Sequence, residues 1–335
     1  MKPLVSVVIP SYNHAAYVTL AVRSVLDQTL RDLEVLVVDD GSRDDSLARV
    51  RAIEDPRLRV IAQENRGTHG ALNRGFGEAQ GRYFAILNSD DRYLPQRLEK
   101  AVAALQAEPG LALVGSWIEV VDAGGRRLGV KEGWANLDPW PVAAPAATFK
   151  ADGDPRTALL MQNYWATTSN YVLPRESYEA FGPFRPLRFA HDWDFALRVQ
   201  HQRPARLLQE PLLQYRVHSA NTIREDRAAM VYEICWVMAV HLPRYLGEAA
   251  FWQAGATRRA GQLLRSIHVY GCDPVLWGMA ALIHQGPPGM EERLLAEGDE
   301  TRALYLAEIR RTLEAEGTQG RLGRWVRRLR GRGRG

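Results

Sequence analysis

The sequence predicts an α/β fold, in which a mostly parallel sheet is flanked by helices and followed by a helical region. Two observations predict it. Over the first half of the 335-residue chain, short apolar runs alternate with segments whose apolar residues recur at helical spacing. Beyond residue 221 the helical spacing continues without further strand-like runs. Alternating strands and helices are typical of an open sheet with parallel strands.

Five apolar runs justify the strands, because strands that helices cover on both faces are apolar almost throughout. The first helix is indicated by Val18, Val22 and Val25, which fall on one face. A later helix is expected to begin near Pro95, which suits a first helical turn. The predicted strands are residues 5–9, 35–38, 58–61, 83–87 and a run that begins at 111–114.

The pattern weakens after the fifth run and then resumes. Residues 123–155 are rich in Pro, Ala, Gly and Trp without any period, and we expect an irregular loop segment there. A loop of this length is either functional or a surface excursion. The elements expected after it are a strand at 168–173, helices at 175–181 and 192–200, and extended chain at 207–217.

Charge is concentrated at one end of the chain. The formal net charge is +4, but residues 321–335 contain seven arginines and no acid, which leaves 36 basic and 39 acidic residues elsewhere. A body with a balance of −3 gives no reason to expect a nucleic-acid partner. The basic amphipathic tail suits either peripheral contact with an anionic membrane or a solvated chain end.

The expected location follows from what the sequence lacks. No signal peptide precedes the first strand, and no apolar stretch reaches the roughly 18 residues that a membrane span needs. The two cysteines, Cys235 and Cys272, lack the spacing of a zinc site or a disulfide framework. We therefore expect buried structural thiols in a cytoplasmic protein, with the tail as a candidate contact at the inner face of the cytoplasmic membrane.

Polar clusters follow three of the predicted strands. They are residues 10–13 (Pro-Ser-Tyr-Asn), 39–42 (Asp-Asp-Gly-Ser) and 88–91 (Asn-Ser-Asp-Asp). Open α/β sheets bind ligands at the carboxyl ends of their strands. There an aromatic ring can stack on a base, and carboxylates can accept from a ribose or hold a divalent metal against a diphosphate. Taken alone, the 39–42 cluster fits a cap of the next turn at least as well.

Together these segments resemble the inverting family 2 glycosyltransferases of the GT-A fold. The chain has neither a glycine-rich dinucleotide motif after its first strand nor a P-loop motif, so side chains and a metal are left to hold a nucleotide. The resemblance covers residues 5 to about 221 and implies a GT-A domain over 1–222. The residue pattern after it predicts a helical region over 223–320 and the basic tail 321–335. The resemblance is carried by residues 5–13, 37–42, 65–73 (Asn-x-Gly-x3-Ala-x-Asn), 88–91, Asp192 before an amphipathic helix, and 215–218 (Tyr-Arg-x-His).

The resemblance implies a metal-dependent, inverting enzyme that moves a sugar from a nucleotide-sugar donor, expected to be a UDP-sugar, to a hydroxyl of a saccharide or lipid-linked acceptor. Asp192 matches the general base, and Asp90 matches a ligand of Mn²⁺ or Mg²⁺. His218 is either a further metal ligand or structural. His191 and Trp193 are expected near the acceptor, although a core position suits Trp193 equally. The residues expected at the nucleotide sugar are Pro10, Tyr12, Asn13, Asp39, Asp40, Gly67, Asn73, Asn88 and Ser89.

Two positions depart from the family pattern. Asn88 stands where the family's Asp-x-Asp motif has its first aspartate, and His191 stands where its Glu-Asp motif has the glutamate. Asp91 is expected to compensate partly for the missing charge. The departures favour one alternative from another class, a nucleotide-sugar-binding protein without catalysis.

Overall fold

The computed structural model describes residues 2–136, 155–218, 221, 226–247 and 269–331, without the side chains of 157, 161 and 316–331. The chain divides into two compact units, Met1–Asn221 and Thr222–Gly335. The predicted irregular segment is described up to residue 136 and again at 155, and the basic tail is described only as helical backbone up to residue 331.

A single sheet forms the centre of the first unit. Its strands are β1 (Val5–Ser11), β2 (Leu33–Asp39), β3 (Leu58–Ala62), β4 (Tyr83–Ile86), β5 (Arg92–Tyr93), β6 (Leu113–Asp122), β7 (Arg127–Lys131), β8 (Val172–Pro174) and β9 (Ala205–Val217). Among the described residues the sheet has nine strands in the order β3-β2-β1-β4-β8-β6-β9-β5, and β7 pairs with β6.

Most of these strands run in one direction. β1 is parallel to β2 and β4, β2 to β3, and β6 to β9. β8 is antiparallel to both β4 and β6, which gives those two the same direction. The strands that run the other way in the described part of the chain are β5, β7 and β8. The prediction of a mostly parallel sheet is confirmed, and the carboxyl ends of β1, β2 and β4 lie at one edge.

Helices cover the sheet as the apolar spacing predicts. Every residue of β1 and β2 is buried. Val18, Val22 and Val25 on the first helix belong to the same buried cluster. The helices of this unit are α1 (Val18–Leu26), α2 (Ser46–Arg51), α3 (Gly67–Glu78), α4 (Arg97–Ala107), α5 (Pro155–Met161), α6 (Arg175–Phe181) and α7 (His191–Gln202).

Part of the predicted irregular segment is a strand. β7 pairs with β6 in a hairpin, where a loop had been expected from residue 123. The Asp122 carboxylate accepts the amide N–H groups of Gly124 and Arg126 at 3.0 and 2.9 Å, and Gly125 takes a φ of +89°, which glycine adopts without steric cost. The composition of this segment therefore did not predict the hairpin, whose turn is stabilised by the Asp122 carboxylate.

The strand predicted at 168–173 is wrong in its first half. Thr168–Asn170 form a 3₁₀ turn, and only Val172–Pro174 pair as β8. The Thr167 hydroxyl accepts the N–H of Ser169 at 3.2 Å, so a side chain replaces the strand partner that this N–H would need. The run Thr-Thr-Ser-Asn is thereby diverted into a turn whose side chains bond elsewhere.

Four helices make up the described part of the second unit: α8 (Arg227–Leu246), α9 (Asp273–Gln285), α10 (Met290–Arg293) and α11 (Glu300–Gly331). Buried donors on α8 fasten it to the 291–294 region. Tyr232 Oη donates to the Leu294 carbonyl at 2.7 Å, and Trp236 Nε1 donates to that of Glu291 at 3.1 Å. Cys235 and Cys272 are buried free thiols, as expected. Within the described residues, no helix has the length and apolar character needed to span a membrane.

Arg97 on α4 provides a test of how the first unit is held together. Its guanidinium is buried and donates to Ser116 Oγ at 2.7 Å, to the Ser169 carbonyl at 3.1 Å and to Asn170 Oδ1 at 3.2 Å. It also lies 4.7 Å from the centre of the Tyr93 ring. One side chain therefore joins α4, β6 and the 3₁₀ turn.

We expect Arg97→Met to lower the free energy of unfolding of the first unit by about 3 kcal/mol, because buried acceptors lose their charged donor. Urea denaturation followed by circular dichroism measures the change. Arg126→Met is the control, since this side chain is 81% exposed and forms an i,i+4 ion pair with Asp122. Its loss is expected to cost less than about 1 kcal/mol. Equal effects for both variants would contradict the role given to Arg97.

Candidate active site at the carboxyl edge of the sheet

The two acids at the end of β2, Asp39 and Asp40, are both buried. Asp39 pairs in register with Ser11 at the end of β1. Its Oδ1 accepts the N–H of Ser42 at 3.0 Å, while its buried Oδ2 has no hydrogen-bond partner among the described residues. Asp40 Oδ1 accepts from Gln63 Nε2 at 2.7 Å and from the N–H of Arg66 at 2.8 Å, so it organises the approach to α3. Asp39 Oδ2 is therefore a buried acceptor without a partner among the described residues.

The segment after β1 presents one exposed ring. Tyr12 is 42% exposed, whereas Pro10 is buried within β1. Asn13, at a φ of +53°, donates its N–H to Ser42 Oγ at 3.0 Å and accepts the N–H of Arg43 at 2.8 Å. Asn13 thus ties the ends of β1 and β2 together, and Tyr12 is left free of the core, where a base could stack on it.

Two residues of α3, Gly67 and Asn73, were expected at the nucleotide. Their local environments differ, because the Asn73 side chain is hydrogen-bonded within the fold. Gly67 begins the helix at a φ of +77°, a conformation that favours glycine. The amide of Asn73 is used within the fold. It donates to the Phe184 carbonyl at 2.9 Å and accepts from the N–H of Phe184 at 2.9 Å and from Tyr178 Oη at 3.0 Å. The Asn73 amide therefore has a structural role in the fold, and its contact with a nucleotide stays a prediction.

His69 links this region to the start of α7. Burial and the charge of His191 lower the pKa of His69, while the charge of Asp40 raises it. The aromatic ring of Phe184, whose backbone bonds Asn73, lies 6.1 Å from the His191 ring. The N-terminal parts of α3 and α7 therefore lie close together.

The 3₁₀ turn holds the tetrad 88–91 in place. Asn88 donates its backbone N–H to Ser169 Oγ at 2.8 Å and its side-chain Nδ2 to Thr167 Oγ1 at 3.0 Å. Its Oδ1 accepts from Thr168 Oγ1 at 3.0 Å. The amide that replaces the family's first aspartate is therefore bound to this turn.

Asp91 does not supply the second carboxylate that the sequence suggested. It is buried, and its Oδ2 accepts from Ser169 Oγ at 2.6 Å, while its Oδ1 accepts the N–H of Arg216 at 3.0 Å. Burial and the charge of Asp90 raise the pKa of Asp91 well above its ordinary value. Its oxygens are used to join the tetrad to β9 and the 3₁₀ turn.

Asp90 lies in a cluster with two histidines. His218 Nε2 and Asp90 Oδ2 are 3.0 Å apart. His14, Asp90 and His218 each offer one ligand atom, and these atoms lie within 4.8 Å of one another. Burial disfavours the ionised form of Asp90, but the hydrogen bond from His218 and the charge of His14 outweigh it, so the pKa of Asp90 is lowered. One carboxylate oxygen and two imidazole nitrogens at this spacing fit a divalent cation.

Packed rings keep this cluster in position. The Tyr17 ring stacks on His218 with centroids 5.2 Å apart, and the Arg216 guanidinium lies 5.0 Å from the Tyr17 centroid. Arg216 Nε also donates to the carbonyl of Asp90 at 3.0 Å. The His218 orientation is therefore fixed by the fold. Sequence reasoning found Asp90 and His218 and gave His14 no role, although His14 directly follows the polar cluster at the end of β1.

Asp192 lies in the first turn of α7. Its Oδ1 accepts the N–H of Trp193 at 2.7 Å, and its Oδ2 accepts from Asn163 Nδ2 at 3.0 Å. Tyr171 Oη donates to its backbone carbonyl at 2.7 Å. Burial raises the pKa of Asp192, and the neighbouring His191, the Trp193 amide and Asn163 only partly offset this. The helix cap is Ala190 and not Asp192. Asn163 carried no signal in the sequence.

His191 and Trp193 are both buried. Trp193 Nε1 donates to the Leu159 carbonyl at 2.7 Å, which matches the core alternative. Burial lowers the pKa of His191. Neither ring is presented as an open stacking surface.

One short segment joins Asp192 to the tetrad. Asn163 bonds the Asp192 carboxylate, and its Oδ1 accepts the N–H of Ala166 at 3.3 Å. The next residue, Thr167, bonds Asn88. The segment 163–169, which we call the connecting segment, therefore contacts both acid-bearing elements.

Solved structures share this fold. Residues 1–349 of TarS from S. aureus, in complex with UDP-GlcNAc, align with a TM-score of 0.59 at 18% identity, covering 95% of this chain and 92% of that one. The mannosyltransferase PcManGT from Pyrobaculum calidifontis, in complex with GDP-Man and Mn²⁺, aligns with a TM-score of 0.54 at 18% identity, covering 93% and 86%. The GT-A fold expected from the sequence is confirmed.

Sequence relatives fall in one class. The chain is 29% identical over 225 residues to an uncharacterized glycosyltransferase of Nostoc sp., covering 65% of this chain and 66% of that protein. It is 42% identical over 127 residues to the succinoglycan biosynthesis protein ExoO of Rhizobium meliloti (38% and 36% covered) and 36% identical over 142 residues to chondroitin synthase of Escherichia coli (42% and 20% covered). The match thus spans between a fifth and about two thirds of these proteins. The model of the family described as glycosyl transferase family 2 matches residues 6–193, more than half of the chain, and the protein therefore belongs to that family.

Proposed function

We propose that this protein is an inverting glycosyltransferase that moves a sugar from a nucleotide-sugar donor to a hydroxyl of a saccharide or lipid-linked acceptor. The observation that carries the proposal is the connecting segment, which binds the Asp192 carboxylate at one end and the tetrad containing Asp90 at the other. Both acids lie within residues 6–193, the part matched by the family.

The donor nucleotide is proposed to bind at the ends of β1 and β2. The exposed Tyr12 ring is available to stack on a base, and the unpartnered Asp39 Oδ2 is available to accept from a base or ribose group. Pro10, Asn13, Asp40 and Gly67 shape the edge through the contacts described above. We propose a UDP-sugar as the donor. The TarS complex with UDP-GlcNAc supports it, and the PcManGT complex with GDP-Man makes the guanosine nucleotide the first alternative to test.

The diphosphate is proposed to lie at the Asp90 cluster. Asp90 and His218 are the residues that would hold a divalent cation there. When bound, such a cation supplies Lewis-acid stabilisation of the departing nucleoside diphosphate. Ser89, next to Asp90, contributes by fixing the neighbouring His14 ring at 2.7 Å.

Asp192 is proposed to accept the proton of the acceptor hydroxyl. As that oxygen forms its bond to the anomeric carbon, the bond from the same carbon to the diphosphate oxygen breaks, and the proton passes to Asp192. A single displacement through an oxocarbenium-like state inverts the anomeric configuration. Burial makes the Asp192 carboxylate a stronger base than an exposed aspartate, because it raises the pKa.

We propose that the acceptor is a saccharide or a lipid-linked molecule. The relatives named as a succinoglycan biosynthesis protein and a chondroitin synthase support a growing saccharide. Because His191 and Trp193 are buried, we propose that they hold Asp192 in position through packing and the Trp193 N–H bond. Other residues would then contact the acceptor. We also propose that the protein is cytoplasmic and that its tail, 321–335, contacts anionic lipid. The tail side chains lie outside the described residues.

A donor-binding protein without catalysis is the second candidate, favoured by Asn88 and His191 in place of the family's acids. Thermal-shift screening of nucleoside diphosphates and nucleotide sugars, with and without Mn²⁺, identifies the donor in either case, because ligand binding stabilises only the folded form. Transfer or donor hydrolysis by the wild type then separates the two candidates.

Asp192→Asn is expected to lower turnover by about a hundredfold or more, because the amide cannot accept the hydroxyl proton. Donor binding is expected to be unchanged, as measured by the thermal shift with the donor. Transfer is followed by mass spectrometry of the glycosylated acceptor. Glu176→Gln is the control, since this acid is exposed on α6 of the same unit. Wild-type turnover in Asp192→Asn would remove Asp192 from the mechanism.

A pH profile tests the environment of Asp192. Only the ionised carboxylate can act as a base, so kcat/KM is expected to fall as the pH drops through a pKa raised above the ordinary 3.8. The hydrogen bond from Asn163 lowers this pKa, so Asn163→Ala is expected to move the acidic limb to higher pH. Gln162→Ala, one residue away, should leave the limb in place. An unchanged limb in Asn163→Ala would contradict this assignment.

A further inference from the structure

His14 lies beside the proposed metal ligands, yet it belongs to none of the motifs that carry the family resemblance. It follows the 10–13 cluster and offers a ring nitrogen within 4.8 Å of the ligand atoms of Asp90 and His218. Its ring meets that of His218 edge-on, with centroids 5.9 Å apart. Three elements of the first unit thus converge: the segment after β1, the tetrad after β4 and the residue after β9.

Hydrogen bonds fix the position of His14. Its backbone N–H donates to Ser46 Oγ at 2.9 Å, and Ser46 is fully buried at the start of α2. The following N–H, of Ala15, donates to Asp44 Oδ2 at 3.0 Å. At the other end of the side chain, Nδ1 lies 2.7 Å from Ser89 Oγ. Ring orientation set by a hydrogen bond is the usual arrangement of a histidine that binds a metal.

The chemistry of the donor set distinguishes between cations. Mg²⁺ is usually held by carboxylates and phosphates in octahedral geometry, whereas imidazole nitrogen favours first-row transition ions. Asp91, the adjacent acid, has both oxygens engaged by Ser169 and Arg216. Asp90 is therefore the carboxylate of the cluster, and its other two members among the described residues are histidines.

We propose that His14 is a third protein ligand of the divalent-metal site and that the resulting set of two imidazoles and one carboxylate selects transition ions over Mg²⁺. The inference rests on the proposed function, because it assumes a cation at Asp90. It goes further by assigning a ligand outside the family motifs and by deciding between the two cations. Because affinities at such sites rise from Mn²⁺ to Co²⁺, Co²⁺ should bind more tightly than Mn²⁺.

Direct metal binding to the 335-residue chain tests the proposal. Mn²⁺ is titrated and the free ion is followed by its EPR signal, with Mg²⁺ as competitor, in the absence and presence of UDP. The wild type should retain Mn²⁺ against excess Mg²⁺. His14→Asn should weaken Mn²⁺ binding at least about tenfold, since even outer-shell changes cost 10- to 100-fold. The same substitution should change Mg²⁺ binding less, so the ratio of Mn²⁺ affinity to Mg²⁺ affinity should fall. His284→Asn, an exposed histidine in the second unit, is the control.

Each outcome decides between the inference and the function on which it rests. Wild-type Mn²⁺ affinity in His14→Asn, with affinity lost in Asp90→Asn, would overturn the role of His14 and leave the metal site intact. A wild type that shows no preference for Mn²⁺ over Mg²⁺ would overturn the selectivity. Sugar transfer by metal-stripped protein in excess chelator would show that transfer needs no metal. It would contradict the metal site in the proposed function and in the inference about His14. Absence of transfer with every donor, alongside His14-dependent Mn²⁺ binding, would overturn the function and not the site.

A thermal melt would reveal a His14 variant that fails to fold. A measurement on the wild type tests the same proposal without any variant of His14. Pulsed EPR of bound Mn²⁺ detects ¹⁴N couplings from ligating imidazoles. Two sets of couplings, from His14 and His218, are expected. A single set that disappears in His218→Gln would exclude His14 as a ligand, whatever the behaviour of the His14 variants.

Discussion

Hydrogen bonds between the tetrad 88–91 and the 3₁₀ turn after Thr167 are the constraint on which the site depends. A loop that follows a short strand has many accessible conformations, and these bonds select one. The Ser169 hydroxyl is shared, because it accepts the N–H of Asn88 and donates to the Asp91 carboxylate. Since Asp91 is used in this way, the neighbouring Asp90 is the acid that meets His218. Loss of the turn would remove one of the two hydrogen bonds to the Asp91 carboxylate and the backbone bond of Asn88.

Burial is opposed to different extents around Asp90 and Asp192, the two acids to which roles are proposed. Around Asp90, the hydrogen bond from His218 and the charge of His14 outweigh desolvation, and the pKa is lowered. Around Asp192, the neutral donor Asn163 and the buried His191 do not outweigh it, and the pKa is raised. A metal ligand has to stay ionised, whereas a base has to accept a proton. The two environments therefore fit the two proposed roles, as is common where one site uses acids for different tasks.

Positions that depend on local chain order were predicted from the sequence. Asp90 follows an apolar run and therefore lies at a strand end, and Asp192 precedes a periodic segment and lies in the first turn of a helix. Asn73 shows the limit of this reasoning. Its motif position indicated a nucleotide contact, but Phe184, far away in the chain, takes up its amide. A local motif cannot predict a hydrogen bond to a backbone group that lies about a hundred residues away in the chain.

The sequence by itself determined the strand runs, the helix faces and the order of the polar clusters, because apolar periodicity and strand ends are local properties. Tertiary structure decided which side chains of those clusters remain available. His14, Asn163 and Ser169 acquire their roles only when β1, the connecting segment and β4 are brought together. The physical reason is that hydrogen bonding and burial depend on neighbours in space, so two adjacent aspartates that look alike in sequence have different partners. Asp90 meets a histidine, and Asp91 is bound by the 3₁₀ turn and β9.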